Sequence, residues 1–155
     1  MNRFDRLVEL RRIREEIQGT AFARLLARLE GLKQDVRQLD QQTTEEQAQM
    51  RLALDQGTDR SAGPPLPLGL LDKFLQGQAW RRKRLEQMIV VAQQDLEKAR
   101  ATWIAARTQL QQAEKLAEKE AQQQRKRLEY HEKKAMDMVG VLRNKTFVGQ
   151  EGEVG

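Results

Sequence analysis

At 155 residues, with 33% charged, 5% aromatic and a net charge of +5, the chain has the length of one domain but few of the large side chains that fill a compact core. Its 39% of apolar residues is too many for a disordered chain, and Ala, Leu, Gln, Glu, Lys and Arg dominate, which leaves elongated helix as the expected class. The absence of cysteine excludes disulfides and thiolate metal sites.

The first sixteen residues, MNRFDRLVELRRIREE, contain no apolar core of signal-peptide length. The longest apolar run, 88–92, is far too short to span a bilayer. A soluble, cytoplasmic protein is expected. Phe4, Leu7, Leu10, Ile13 and Ile17 form a first apolar stripe, with Gly19 at a phase shift. From there Phe22, Leu25, Leu29, Leu32, Val36, Leu39, Thr43, Glu46, Met50 and Ala53 alternate by steps of three and four. That spacing is a heptad seam, clean to Leu39 and weaker beyond it.

The helical pattern breaks once, at SAGPPLPLGLLDKF, 61–74. Pro64 and Pro65 forbid helix, Gly57 and Gly63 accept the dihedrals of a helix end, and Pro67 suits a first helical turn. Beside this break sits the densest apolar cluster of the chain: Leu66, Leu68, Leu70, Leu71, Phe74 and Leu75. A helix packing along one stripe buries three or four positions in two turns, and this cluster exceeds that. It either closes the tip against Met50, Leu52 and Leu54 or docks a partner.

A longer seam comes next, through Leu85, Ile89, Ala92, Leu96, Ala99, Trp103, Ala106, Leu110, Ala113 and Ala117. Its alanines allow close approach of two helices around one large anchor, Trp103. Beyond Ala117 the register slips, through Gln124 to Leu128, His131, Ala135, Met138 and Leu142, as an insertion into a heptad repeat would make it do. Only Glu129–Lys133 has the favourable acid-before-base order at four residues; Glu9–Arg12, Glu30–Lys33, Asp95–Lys98 and Glu97–Arg100 have the three-residue spacing. Such pairs are too few to hold lone helices, so packing must. The expected fold is all-α: a long antiparallel two-helix coiled-coil hairpin, with the termini together at one end and the Pro/Gly turn at the other. It is one elongated domain, 1–148, with helix one at about 4–56, the turn at 57–66 and helix two at 67–146. At about 1.5 Å per residue the helices reach roughly 80 and 115 Å, so the second should overhang. A disordered tail is expected at 149–155.

No catalytic constellation is present. His131 is the single histidine and falls on the slipped seam, where a helix-interface role is favoured over a ligand or base. No glycines cluster before a lysine as in a phosphate loop. Neither a metal site nor a cofactor is expected, and no enzyme activity. The run RRKR at 81–84 encircles its helix, because successive residues lie about 100° apart. It reads as solvated surface and not as a nucleic-acid patch. Trp80 either caps a packing layer or anchors a partner. Residues 1–60 carry 11 basic and 11 acidic side chains, and 61–155 carry 17 and 12. The positive excess lies in the second half, which points to an acidic partner.

Three stretches resemble one family. FDRLVELRRIREE, FLQGQAW with LEKARATW, and EKLAEKEAQQQRKRLEYHEKKAMDMV are similar to the small coiled-coil stalk proteins of type III export, above all the flagellar J protein family, with the virulence-secretion stalk as near relative. The resemblance covers roughly 4–147 and rests on order and length, since each motif is common in coiled coils. It does not account for the tail at 149–155. It implies a non-enzymatic stalk whose paired termini enter the pore of a hexameric export ATPase ring. Its turn end would touch the cytoplasmic domain of the membrane export gate, and it would help to handle export chaperones. The protein would then be cytoplasmic and peripheral at the inner membrane, neither inserted in the membrane nor bound to nucleic acid. On this view Phe4, Leu7, Arg11, Arg12, Lys133, Lys134 and Arg143 meet the ring, and Leu70, Leu71, Phe74, Leu75 and Gln78 meet the gate. A flagellar and a virulence system stay open at this point. So do an unrelated structural coiled coil and a basic binding module, although the glutamates within 114–132 argue against the last.

Overall fold

The computed structural model describes residues 2–56 and 68–153, and their side chains except at 68 and 147–153. The expected turn at 57–66 lies outside the described residues. Two helices make up the fold, α1 (Asp5–Gln56) and α2 (Leu68–Glu153), with no strand among the described residues. They pack against each other as an antiparallel hairpin. α2 continues to Glu153, into the segment expected to form a tail. Contacts group the chain into two compact units, each built from a stretch of both helices: Met1–Glu15 with Ala106–Gly155, and Glu16–Ala105.

In the second of these units the heptad seam is the core. All ten seam positions from Phe22 to Ala53 are buried or half-buried. Leu29, Leu32 and Ala92 are its most buried apolar residues, with Leu85, Ile89 and Leu96 packed on them. The periodicity decides this, because a spacing of three and four keeps one stripe turned to the partner helix. Trp103 stacks on Phe22 with ring centroids 5.2 Å apart. It also covers Gly19, where an added Cβ would come within 3.1 Å of the indole nitrogen. Gly19 is therefore the space that admits the indole, and no phase shift occurs there.

That corrects the reading of the N-terminal stripe. The seam continues upstream of Phe22 in unbroken heptad spacing through Gln18, Glu15, Arg11, Val8 and Phe4, all at least half-buried. Leu10, Ile13 and Ile17 lie on the opposite face, and Leu10 is 64% exposed. The interface side of α1 upstream of Phe22 therefore carries polar side chains at Arg11, Glu15 and Gln18.

In the unit of the termini, Ala106 and Ala113 are buried. Arg11 donates to Gln109, Arg3 pairs with Glu120 at 3.6 Å, and Arg12 with Glu114 at 3.8 Å. The start of α1 is capped reciprocally. The Phe4 amide donates to Asn2 Oδ1 at 3.0 Å, and the Asn2 amide donates to Asp5 Oδ2 at 2.8 Å, as in a capping box. Asn2 Nδ2 also donates to the Ala117 carbonyl at 2.7 Å, which ties the first turn to α2. Asn2→Ala removes both functions and is expected to destabilise the protein by about 1 kcal/mol, the scale of a lost N-cap. Denaturant unfolding checks this, and Asn2→Asp should restore the cap but not the bond to Ala117.

Candidate functional site

The unit of the termini holds all seven residues assigned to the ring, but not on one surface. Phe4, Leu7 and Arg11 are half-buried against α2, and Arg12 is exposed beside Glu114. Lys133, Lys134 and Arg143 lie further along α2, in a stretch where every residue from 122 to 146 is exposed. Asn2 at the start of α1 bonds to Ala117, and none of the described residues covers the later turns of α2. Among the described residues, 122–146 make no cross-helix ion pair or hydrogen bond. The slipped seam is real as a stripe but has no partner helix among the described residues, and His131, expected at a helix interface, is exposed with the Tyr130 ring beside it.

At 100° per residue, Leu128, Ala135, Met138 and Leu142 fall on one face of this stretch. Arg125 and Arg143, with Glu132 between them, flank that face on one side, and Arg127, Lys134 and Lys145 on the other. Lys133 lies behind it. The stretch holds seven basic and three acidic side chains. An apolar stripe with basic edges suits a partner that is apolar with acidic margins.

The second unit holds the residues assigned to the gate. Leu71, Phe74 and Leu75 are half-buried on the seam side of α2, and Leu70 is 39% exposed. Opposite them Met50 and Leu54 are half-buried while Leu52 is exposed. Leu66 and the side chain of Leu68 lie outside the described residues. Gln78 is the buried polar residue among the described residues, 4% exposed. Its Nε2 donates to Thr43 Oγ1 at 3.0 Å, and its Oε1 accepts from Arg81 at 3.0 Å. One turn on, Arg82 Nε donates to Asp40 Oδ1 at 2.9 Å and Nη1 to Glu86 Oε1 at 3.0 Å. The Asp40 hydrogen bond, then its charge and that of Glu86, raise the Arg82 pKa above the ordinary arginine value. Of the run 81–84, Arg81 and Arg82 thus bond to neighbouring side chains, and the Arg84 guanidinium lies 5.7 Å from the centre of the Trp80 ring.

Trp80 is 62% exposed and caps no packing layer. It forms one wall of a groove of about 520 Å³ between α1 and α2, with Leu39, Leu85 and Met88 as apolar lining and Asp35 and Arg84 at the edges. The sequence singled out Trp80 but not the groove, because the two helix faces that make it lie far apart in the chain.

Among the described residues no group of three or more His, Asp or Glu could hold a metal ion, and no helix is long and apolar enough to cross a membrane. A family model described as Flagellar FliJ protein matches residues 1–142. The chain belongs to the flagellar FliJ protein family. It is thereby a component of the flagellar type III protein export apparatus. The match takes in the whole of α1 and all of α2 up to Leu142, including the exposed stripe of 128–142. No curated protein and no solved structure matches the chain.

Proposed function

We propose that this member of the FliJ family is the non-enzymatic stalk between the hexameric export ATPase ring and the cytoplasmic domain of the export gate, and that it assists export chaperones at the same apparatus. It works in the cytoplasm, held at the inner membrane by its partners. The observation that carries this reading is the exposed stretch 122–146. It is helical, striped with apolar residues and edged with arginine and lysine, yet covered by none of the described residues. A helix face of that kind is costly to leave in water and marks a partner surface. The ring engages the unit of the termini through this stretch, with Lys134 and Arg143 at its edges and Phe4, Leu7, Arg11 and Arg12 holding the first turns of α1 beside it. Titration of the chain into purified export ATPase, with hydrolysis rate as readout, tests the reading. An ATPase rate indifferent to the full-length chain at saturating concentration would overturn it.

The gate engages the second unit. Leu70 and Trp80 offer exposed apolar surface, and Leu71, Phe74, Leu75 and Gln78 support it from the seam. Trp80→Ala is expected to weaken binding of the gate's cytoplasmic domain by about 2 kcal/mol, the scale of an aromatic hot spot, with an unchanged melting temperature. Phe74→Ala should lower gate binding and stability together, because its ring is half-buried between the helices. Calorimetric titration beside thermal unfolding separates the two.

A further inference from the structure

The groove beside Trp80 does not end at Met88. A second hollow of about 300 Å³ shares Arg84 and Met88 with it and continues along α2 to Asp95. Together they make one groove in the Glu16–Ala105 unit, about 22 Å long from Trp80 to Asp95. Met88 stands at its middle, with Val91 exposed beside it. The groove carries charges of both signs, Arg28, Arg81 and Arg84 against Asp35 and Asp95. None of these five is in an ion pair among the described residues. Their spacing on α2 is symmetric. Arg81 and Asp95 lie one heptad to either side of Met88, and at 100° per residue all three fall within about 40° of one another. A two-fold axis through Met88 that sets α2 antiparallel to α2 of a second copy places Met88 on Met88. It also brings Arg81 of each copy to Asp95 of the other.

We propose that this groove is a homodimer contact, in which Met88 packs on its own symmetry mate and two Arg81–Asp95 ion pairs fix the alignment. The pattern is self-complementary, as a two-fold contact requires. A partner of one sign would meet a like charge at Arg81 or at Asp95. Residues 16–105 carry 13 basic and 12 acidic side chains, so two copies meet there with little net repulsion. The exposed stretch 122–146, with seven and three, offers no such match. Because the groove lies between α1 and α2, the second copy's α2 touches both helices. Trp80 forms one wall of the groove and is covered in the dimer, so the second copy and any other partner seated on Trp80 exclude each other. The inference stands on this symmetry and does not rest on the proposed function.

The chain has no cysteine, so a single engineered one reports the axis. On oxidation, full-length Met88→Cys should form an intermolecular disulfide at least about tenfold faster than Val90→Cys, because only cysteines held together react as neighbours. Val90 is the more exposed of the two, 52% against 40%, but lies on the far side of α2 from Met88, so random collision would favour it. Sedimentation equilibrium of the parent should show a dimer at about 100 µM, where a micromolar contact is filled. Arg81→Asp and Asp95→Arg should each raise the dimer dissociation constant at least about tenfold. The two together should restore it, with helicity by circular dichroism unchanged in Asp95→Arg and in the double variant. A parent that stays monomeric at that concentration would overturn the proposal. So would equal cross-linking at 88 and 90, or a double variant no tighter than the single ones, since the contact would then be made elsewhere.

Discussion

Trp103→Ala should lower the free energy of unfolding by about 3 kcal/mol, the low end for a buried aromatic truncated to alanine. At the size of this chain that is a fall of roughly 10 °C in melting temperature. Trp103 is half-buried, and a two-helix interface can relax more easily than a closed core, which places the cost at the lower limit. Two losses add. The stack on Phe22 disappears, with ring centroids 5.2 Å apart and an interplanar angle of 23°. A void also opens over Gly19, which has no side chain to fill it. Trp80→Ala is the matched control. Trp80 is exposed and meets one arginine, so its loss should change stability by less than about 0.5 kcal/mol, as for surface substitutions generally. Thermal and denaturant unfolding of the two variants side by side checks this. Equal shifts would show that Trp103 is not the anchor of its unit.

Reversing Lys134 and Arg143 to glutamate should weaken binding to the export ATPase at least a hundredfold, about 3 kcal/mol, and abolish stimulation of hydrolysis at concentrations that saturate the parent. These two charges stand on opposite edges of the stripe formed by Leu128, Ala135, Met138 and Leu142, where a partner seated on the stripe must pass them. Reversal replaces an attraction by a repulsion within a contact that excludes water, where charges act most strongly. Lys133 lies behind the stripe, and Lys133→Glu alone should reduce affinity by less than tenfold. All three side chains are exposed and touch nothing across the helices, so helicity and melting temperature should stay as in the parent. That separates loss of the partner from loss of the fold. Stimulation that survives the double reversal would show that the ring engages another face. Raising ionic strength should weaken the parent complex as well, since edge charges are screened.

Much of the fold was legible because it rests on spacing. A repeat of three and four over ten positions admits one solution, a helix turned with that stripe to its neighbour, and the whole run from Phe22 to Ala53 is at least half-buried. The anchor role of Trp103 was legible for the same reason, as the one bulky side chain among alanines. The gate and ring residues were placed by resemblance, and the structure refines where they sit. Gln78, assigned to an outer surface, is buried against Thr43. Trp80, weighed between packing and docking, stands in water beside its groove.

The sequence by itself determined two helices, one break, the seams at 22–53 and 85–117, and an excess of positive charge in the second half. Each comes from local spacing or composition. Three things were decided only by the tertiary structure. The upstream half-buried positions are Arg11, Glu15 and Gln18 and not Leu10, Ile13 and Ile17, because the side of α1 that meets α2 is set by packing between residues far apart in the chain. Gly19 marks no phase shift but the space under an indole from residue 103, a relation between positions that no local pattern records. The stripe at 128–142 looks like any other half of a seam in the sequence. It is exposed because the first turns of α1 pair with 109–120 and none of the described residues lies against the turns of α2 beyond them.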